Sequence, residues 1–259
     1  MNIGQRMNLD GQVAVITGGS RGIGLQMAEA LGEAGARVVL TARKANELQA
    51  AQSRLERMGI ACLTFQNDLA DFGSIPQLVD DIVGAAGRID ILINNAGCSW
   101  GSATVDHPDD AWHKVINLDL SAQFFISREV GRKCMIPAQR GKLINIASIA
   151  GMGGNPPQWG MFTIAYNSAK GGLINFTRAL AAEWGQYNIQ VNAICPGFFR
   201  TKLSSGLLDK IEEQYVDMTP ARRLGDDEDL KGLVLLLASP ASDYISGQAI
   251  AVDGGFSCV

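Results

Sequence analysis

Histidine is nearly missing from this chain: among 259 residues only His107 and His113 occur. A zinc centre draws on clustered His and Cys, so no metal site is expected. The five cysteines, Cys62, Cys98, Cys134, Cys195 and Cys258, lie tens of residues apart with no Cys-x-x-Cys pair. An odd, scattered set argues against a disulfide framework and for a reduced intracellular chain. Positive charge is not in excess either. Lys and Arg number 22 against 26 Asp and Glu, a formal net charge of -4, which lacks the basic footprint of a nucleic-acid binder. The apolar run at 233–238 is far short of the roughly 20 residues that span a bilayer, and 1–12 has no apolar core of signal-peptide length. The expectation is a cytoplasmic protein with neither membrane nor nucleic acid as partner.

Glycine, by contrast, is abundant. Thirty are present where a usual share of about 7% would give about 18, so tight turns or close backbone approaches are expected. A hydrophobic share of 47% with 19% charged residues excludes disorder. Short, near-continuous apolar runs at 13–17, 37–41, 61–65, 89–93, 142–146, 189–194 and 248–252 read as seven strands buried on both faces. Segments of helical composition, such as 25–34 and 173–184, lie between them. That alternation predicts an α/β, doubly wound, Rossmann-like fold with a seven-stranded parallel sheet and helices on both faces. No linker, charge block or repeat divides the chain, so residues 1–259 read as one dinucleotide-binding and catalytic domain. Two stretches break the rhythm: 152–163, rich in Gly and Pro, and 198–220, which reads as a loop with a short helix. Both follow strand ends, the edge at which open α/β sheets bind ligands.

The first strand runs into Thr17-Gly18-Gly19-Ser20-Arg21-Gly22-Ile23-Gly24. Glycines at 18, 22 and 24 allow a sharp turn and a close approach to a pyrophosphate, whose charge a helix N-terminus stabilises. The same residues match Gly-x-Ser-x-Gly, the nucleophile elbow of α/β-hydrolases, with Ser20 as nucleophile. That alternative needs a histidine late in the chain, and none follows His113. A P-loop is excluded because no Gly-Lys-Ser/Thr triplet exists. An acidic residue is expected on the ribose of NAD, but the second strand ends in Thr41-Ala42-Arg43-Lys44 with no carboxylate before Glu47. Arg43, with Arg21 in the turn, suits a 2′-phosphate instead, so NADP(H) is the predicted cofactor.

Tyr166 and Lys170 stand four apart in a helical segment, which places ammonium and phenol on one face. A nearby cation favours phenolate and brings a group that titrates near 10 toward its working range. Ser148 closes a strand at the same sheet edge, where a hydroxyl can hydrogen-bond a substrate carbonyl.

These pieces, together with Asn94-Asn95-Ala96-Gly97, Asn117, Pro196-Gly197 and Asp253-Gly254-Gly255, resemble the short-chain dehydrogenase/reductase family over nearly the whole chain. The resemblance implies Tyr166 as acid/base, Ser148 as the carbonyl-polarising group, Lys170 on the nicotinamide ribose and Asn117 holding a relay water. It also implies cofactor contacts from Gly18, Ser20, Arg21, Gly22, Ile23, Gly24, Arg43, Asp68, Leu69, Asn94, Ala96, Gly97, Pro196, Gly197 and Thr201. Gluconate 5-dehydrogenase-like and 3-oxoacyl-carrier-protein-reductase-like members are the most similar, implying a keto-sugar acid or a thioester-borne ketone as substrate. A homotetramer, or a homodimer, is implied as well. The 152–163 loop is longer than the family's usual spacing. Trp159, Met161 and Phe162, with Phe198, are candidates for a substrate wall; a surface or subunit-contact loop is the alternative. A nucleotide-sensing or scaffold protein without turnover is the second functional reading. Cys98 and Cys195 read as packing, and Arg222 and Arg223 as solvated or facing an acidic substrate.

Overall fold

The computed structural model describes residues 2–202 and 204–259. All five residues of β1 (Val13–Thr17) are buried, and the strand's period of two sends Val13 and Val15 into one core, Ala14 and Ile16 into the other. A strand that is apolar on both faces must lie in a sheet covered on both sides. Preceded by the short α1 (Ile3–Arg6), it leads through α2 (Gly22–Glu33), β2 (Arg37–Ala42), α3 (Ala45–Arg57) and β3 (Cys62–Gln66). The chain then crosses by α4 (Ile75–Ala86) to β4 (Ile91–Asn94). Beyond β4 come α5 (Asp109–Ile116), α6 (Ala122–Val130), the single turn α7 (Ile136–Ala138) and β5 (Gly141–Ile146). The long α8 (Ile164–Trp184), β6 (Ile189–Pro196), α9 (Ser205–Met218), α10 (Lys231–Ala238) and β7 (Ala249–Val252) complete the order.

All strand pairs are parallel, in the order β3-β2-β1-β4-β5-β6-β7. The seven strands fall where the sequence places them, with ends within two residues. Met27 and Leu31 of α2, Leu48 and Leu55 of α3 and Val234 of α10 cover one face; Ile82 of α4, Ile126 of α6 and Trp184 of α8 cover the other. Each such buried aliphatic side chain contributes about 1.5–3 kcal/mol. α4 opens with a proline in its first turn and stops at Gly87, whose φ of +83° is the left-handed conformation glycine adopts readily.

The 198–220 stretch differs from its reading as a loop with a short helix. α9 has 14 residues, held by Leu208, Ile211 and Tyr215, whose spacing puts all three on one buried stripe. The connections from β1 and β4 leave in opposite directions, so a crevice opens above the C-terminal ends of these two neighbours. No helix among the described residues is long and apolar enough to cross a membrane.

Candidate active site

The crevice widens into a cavity of about 1100 Å³ along the C-terminal edge of the sheet. Its first end is the glycine turn. Gly18 and Gly22 adopt φ of +62° and +56°. A Cβ on Gly18 would lie 2.9 Å from Ala96 Cα, and one on Gly24 would lie 2.4 Å from Asn95 Nδ2. The turn is tied to the end of β4 by side chains: Thr17 Oγ1 accepts from the N–H groups of Asn95 (2.9 Å) and Ala96 (3.0 Å). Asn95 in return donates to the carbonyls of Thr17 (2.9 Å) and Gly18 (3.1 Å). At the N-cap of α2, Arg21 makes no side-chain capping bond, so the first-turn N–H groups of the helix face the cavity unclaimed by it. Ser20, Ile23 and Gly97 line the same end.

Arg43 and Lys44 lie exposed after β2, and Arg21 reaches toward them from the turn. Glu47, in the first turn of α3, folds back among them, 3.3 Å from Arg21 Nε and 3.2 Å from Lys44 Nζ. Burial acts to raise its carboxyl, but the Lys44 hydrogen bond and the Arg21 charge hold it below the usual carboxylate range. The strand end itself carries no carboxylate, but the first turn of α3 returns Glu47 to it. Three cations against one acid still leave it positive. Asp68 and Leu69 line the cavity beside this cluster.

The other end holds Ser148, Tyr166 and Lys170. Ser148 follows β5, and its Oγ accepts from the N–H of Ala150 at 3.1 Å. Tyr166 and Lys170 occupy the first two turns of α8, with Lys170 Nζ 5.5 Å from the centre of the Tyr166 ring. Lys170 donates to the Ile146 carbonyl (2.9 Å), and its Nζ is 3.3 Å from Oδ2 of Asp119, which is fully buried. Asp119 Oδ1 accepts from the Cys98 N–H at 2.8 Å. Burial opposes the Lys170 charge, yet Asp119 and Tyr166 outweigh it and keep the amine above its usual pKa. Burial pushes the Tyr166 phenol above its ordinary value; Lys170 and the Ser148 hydroxyl pull it down without overcoming this, and Asp119 adds to the rise. The expected net lowering by Lys170 is thus corrected, because burial of the phenol, with a smaller contribution from the Asp119 carboxylate, outweighs the cation.

Asn117 begins a π-helical segment, Asn117–Ser121, that joins α5 to α6, with its carbonyl accepting from Ala122 five residues on. Pro196, Gly197 and Thr201 border the cavity after β6. Trp159 is buried against Tyr215 and Phe256 and lines the cavity with Met161 and Phe198. Phe162, by contrast, is 51% exposed and lies outside the lining, because the loop turns it outward.

A family model described as enoyl-(acyl carrier protein) reductase matches residues 18–257. The gluconate 5-dehydrogenase of Gluconobacter oxydans is 36% identical over 96% of both chains. The 3-oxoacyl-(acyl-carrier-protein) reductase of Vibrio harveyi is also 36% identical, over 98% of this chain and 100% of its own. A gluconate 5-dehydrogenase from Burkholderia cenocepacia, solved in complex with NADP and tartrate, superposes with a TM-score of 0.93 at 34% identity, covering 100% of both chains. The chain belongs to the short-chain dehydrogenase/reductase family. It is therefore an oxidoreductase.

Within this short-chain dehydrogenase/reductase frame, one expected contact moves. Asn94 does not line the cavity: its amide donates to Ser127 Oγ (2.9 Å) and Asn145 Oδ1 (2.8 Å) inside the core. Successive strand residues point to opposite sides, so Asn95 takes the cavity side. The Asn-Asn pair was visible in the sequence; which member faces the turn was not. Glu47, Asp119 and Phe256 are further site neighbours that the sequence reading passed over. No histidine lines the cavity among the described residues, which leaves Ser20 without a triad base. Arg222 and Arg223 pair with Asp217 and Asp229 outside the cavity. Burial raises the Cys98 and Cys195 thiols to about 11, as packing residues require.

Proposed function

We propose that the protein is an NADP(H)-dependent oxidoreductase that interconverts a ketone and a secondary alcohol, of the keto-sugar-acid or 3-oxoacyl-thioester type. The observation that carries this reading is one cavity with a cationic glycine turn at one end and Ser148, Tyr166 and Lys170 at the other. The residues fit a dinucleotide phosphate. A Cβ at Gly18 or Gly24 would collide, so the turn keeps its backbone bare, and Arg21 and Arg43 stand where a 2′-phosphate needs donors. The relative crystallised with NADP supports the same choice.

Bound NADPH supplies a hydride to the carbonyl carbon. The Ser148 hydroxyl donates to the carbonyl oxygen and holds it against Tyr166. The Tyr166 phenol gives that oxygen its proton, and Lys170 stabilises the phenolate left behind. Asn117 holds the water through which the proton is restored. In the oxidative direction the phenolate takes the proton from the alcohol. Asp68 and Leu69 would flank the adenine of the bound cofactor, while Pro196, Gly197 and Thr201 would border its nicotinamide. Because both ends belong to one sheet edge, we read residues 1–259 as a single domain. A homotetramer is the proposed assembly, which sedimentation equilibrium tests.

The experiment is a panel of sugar-acid, acyl-thioester and cyclic ketones with NADPH and NADH in parallel. Tyr166→Phe should lower turnover by about 10²-fold or more while leaving NADPH affinity intact. A nucleotide sensor of the same fold would bind NADPH but oxidise it with none of the ketones, and Tyr166→Phe would leave its function unchanged.

A further inference from the structure

The cavity separates charge from apolar surface. Its cations are engaged or lie toward the glycine turn: Arg21 and Lys44 on Glu47, Arg54 on Glu29, Lys170 on Asp119. Arg200 turns to Asp209 and Glu212 of α9. Lys202 follows Thr201, whose Cγ2 sits 3.4 Å from where a Gly22 Cβ would be, and its charge reaches Glu47. Arg43 stands at the end of β2.

Beyond Ser148 and Tyr166 the wall is of another kind. Its apolar members are Trp159, Met161, Phe198, Leu207, Met218 and Phe256, while Asn155 and Thr163 of the same loop bond to each other and to Asn167. Trp159 lies 5.6 Å from Phe256 and 6.2 Å, edge-on, from Tyr215, which stacks on Phe256 at 4.8 Å. The one phenol in this stack accepts from the Phe198 N–H, and Tyr215 lies outside the cavity lining. The loop carrying Trp159 is pinned by side chains. Asn155 donates to Thr163 Oγ1 (2.9 Å), Thr163 to Asn167 Oδ1 (2.8 Å), and Asn167 to the Ala150 carbonyl (2.8 Å).

We infer that the carbonyl substrate carries an uncharged, apolar body, a hydrocarbon chain or ring, and that keto-sugar acids are excluded. A carboxylate placed here would be desolvated without a cation, whereas each buried methylene improves binding about fourfold. The inference rests on the reading of the site as a ketone reductase and narrows its substrate class.

The test compares ethyl 3-oxooctanoate with 5-keto-D-gluconate, using the full chain and NADPH. The ester should have a kcat/KM about 100-fold higher or more, and Trp159→Ala should raise its KM about tenfold without changing NADPH affinity. Met161→Ala, at a half-buried position, gives a smaller shift of the same sign if Trp159→Ala does not fold. Equal or better turnover of the keto acid overturns the inference. If NADPH is oxidised with neither ketone, the reductase reading falls by itself, and equilibrium dialysis against the NADPH-loaded protein decides the substrate class. Binding of the ester alone upholds it; binding of the acid, or of neither, overturns it.

Discussion

The carboxylate of Asp119 has no exposed surface, and both of its polar neighbours, the Cys98 N–H and the Lys170 ammonium, are donors. Burial raises the Asp119 carboxyl above the usual carboxylate range, while the Lys170 ammonium and the Cys98 N–H favour its ionised form, the form that sets a negative charge beside the Tyr166–Lys170 pair. The charged or titratable groups that bear on Tyr166 are Lys170, Asp119 and Cys98. Asp119→Asn keeps an acceptor for Cys98 and removes the charge. The Lys170 field on the phenol is then uncompensated, phenolate is favoured, and the Tyr166 pKa falls. Alcohol oxidation uses phenolate as base, so the rising limb of its kcat–pH profile should move to lower pH. A limb that stays put or moves up refutes the role. Removing one partner of a buried pair should also cost about 3–5 kcal/mol of stability, measured by denaturant unfolding. Asp119 was written in the sequence two residues after Asn117, but its contact with Lys170 spans 51 positions and exists only once α8 packs on the π-helical segment.

At the scale of elements, the turn between β1 and α2 depends on β4. A Cβ on Gly24 would meet Asn95 Nδ2 at 2.4 Å and the Gly18 carbonyl at 2.7 Å, the two groups that stitch the turn to the neighbouring strand. Gly24→Ala should therefore weaken NADPH binding by about tenfold or more, the equivalent of one charge-assisted contact, in a calorimetric titration. Unchanged affinity would mean that the turn accommodates a side chain. The glycine spacing was readable as a phosphate turn from residues 17–24 alone, because φ above zero is a local demand. That Asn95 rather than Asn94 guards it depends on strand pleat, which a dipeptide does not reveal. The 152–163 loop teaches the same distinction. Its Gly and Pro content marked it as irregular, yet only the Asn155–Thr163–Asn167 ladder decides that Trp159 faces inward and Phe162 outward.

Over the whole molecule, charge is graded along the sheet edge, from exposed Arg21, Arg43 and Lys44 to an aromatic wall of buried Trp159 with half-buried Phe198 and Phe256. Exposed cations are screened by salt, buried ones far less. The ratio of kcat/KM with NADPH to that with NADH should fall as ionic strength rises from about 0.05 to about 0.5 M, which shortens the Debye length roughly threefold, from about 14 to about 4 Å. Arg43→Ala should lower it about tenfold at low salt. A ratio insensitive to both would move the phosphate elsewhere. The sequence by itself determined the number and type of strands, the parallel sheet, the glycine turn and the Tyr166–Lys170 face. Each follows from periodicity or from spacing within a few residues, where chain geometry leaves little freedom. Only the tertiary structure decided that Glu47 returns to Arg21 and Lys44, that Asp119 lies against Lys170 and that an apolar wall lines the same cavity as Ser148 and Tyr166. Those contacts join residues far apart in the chain, and their energies arise from burial that no local pattern encodes.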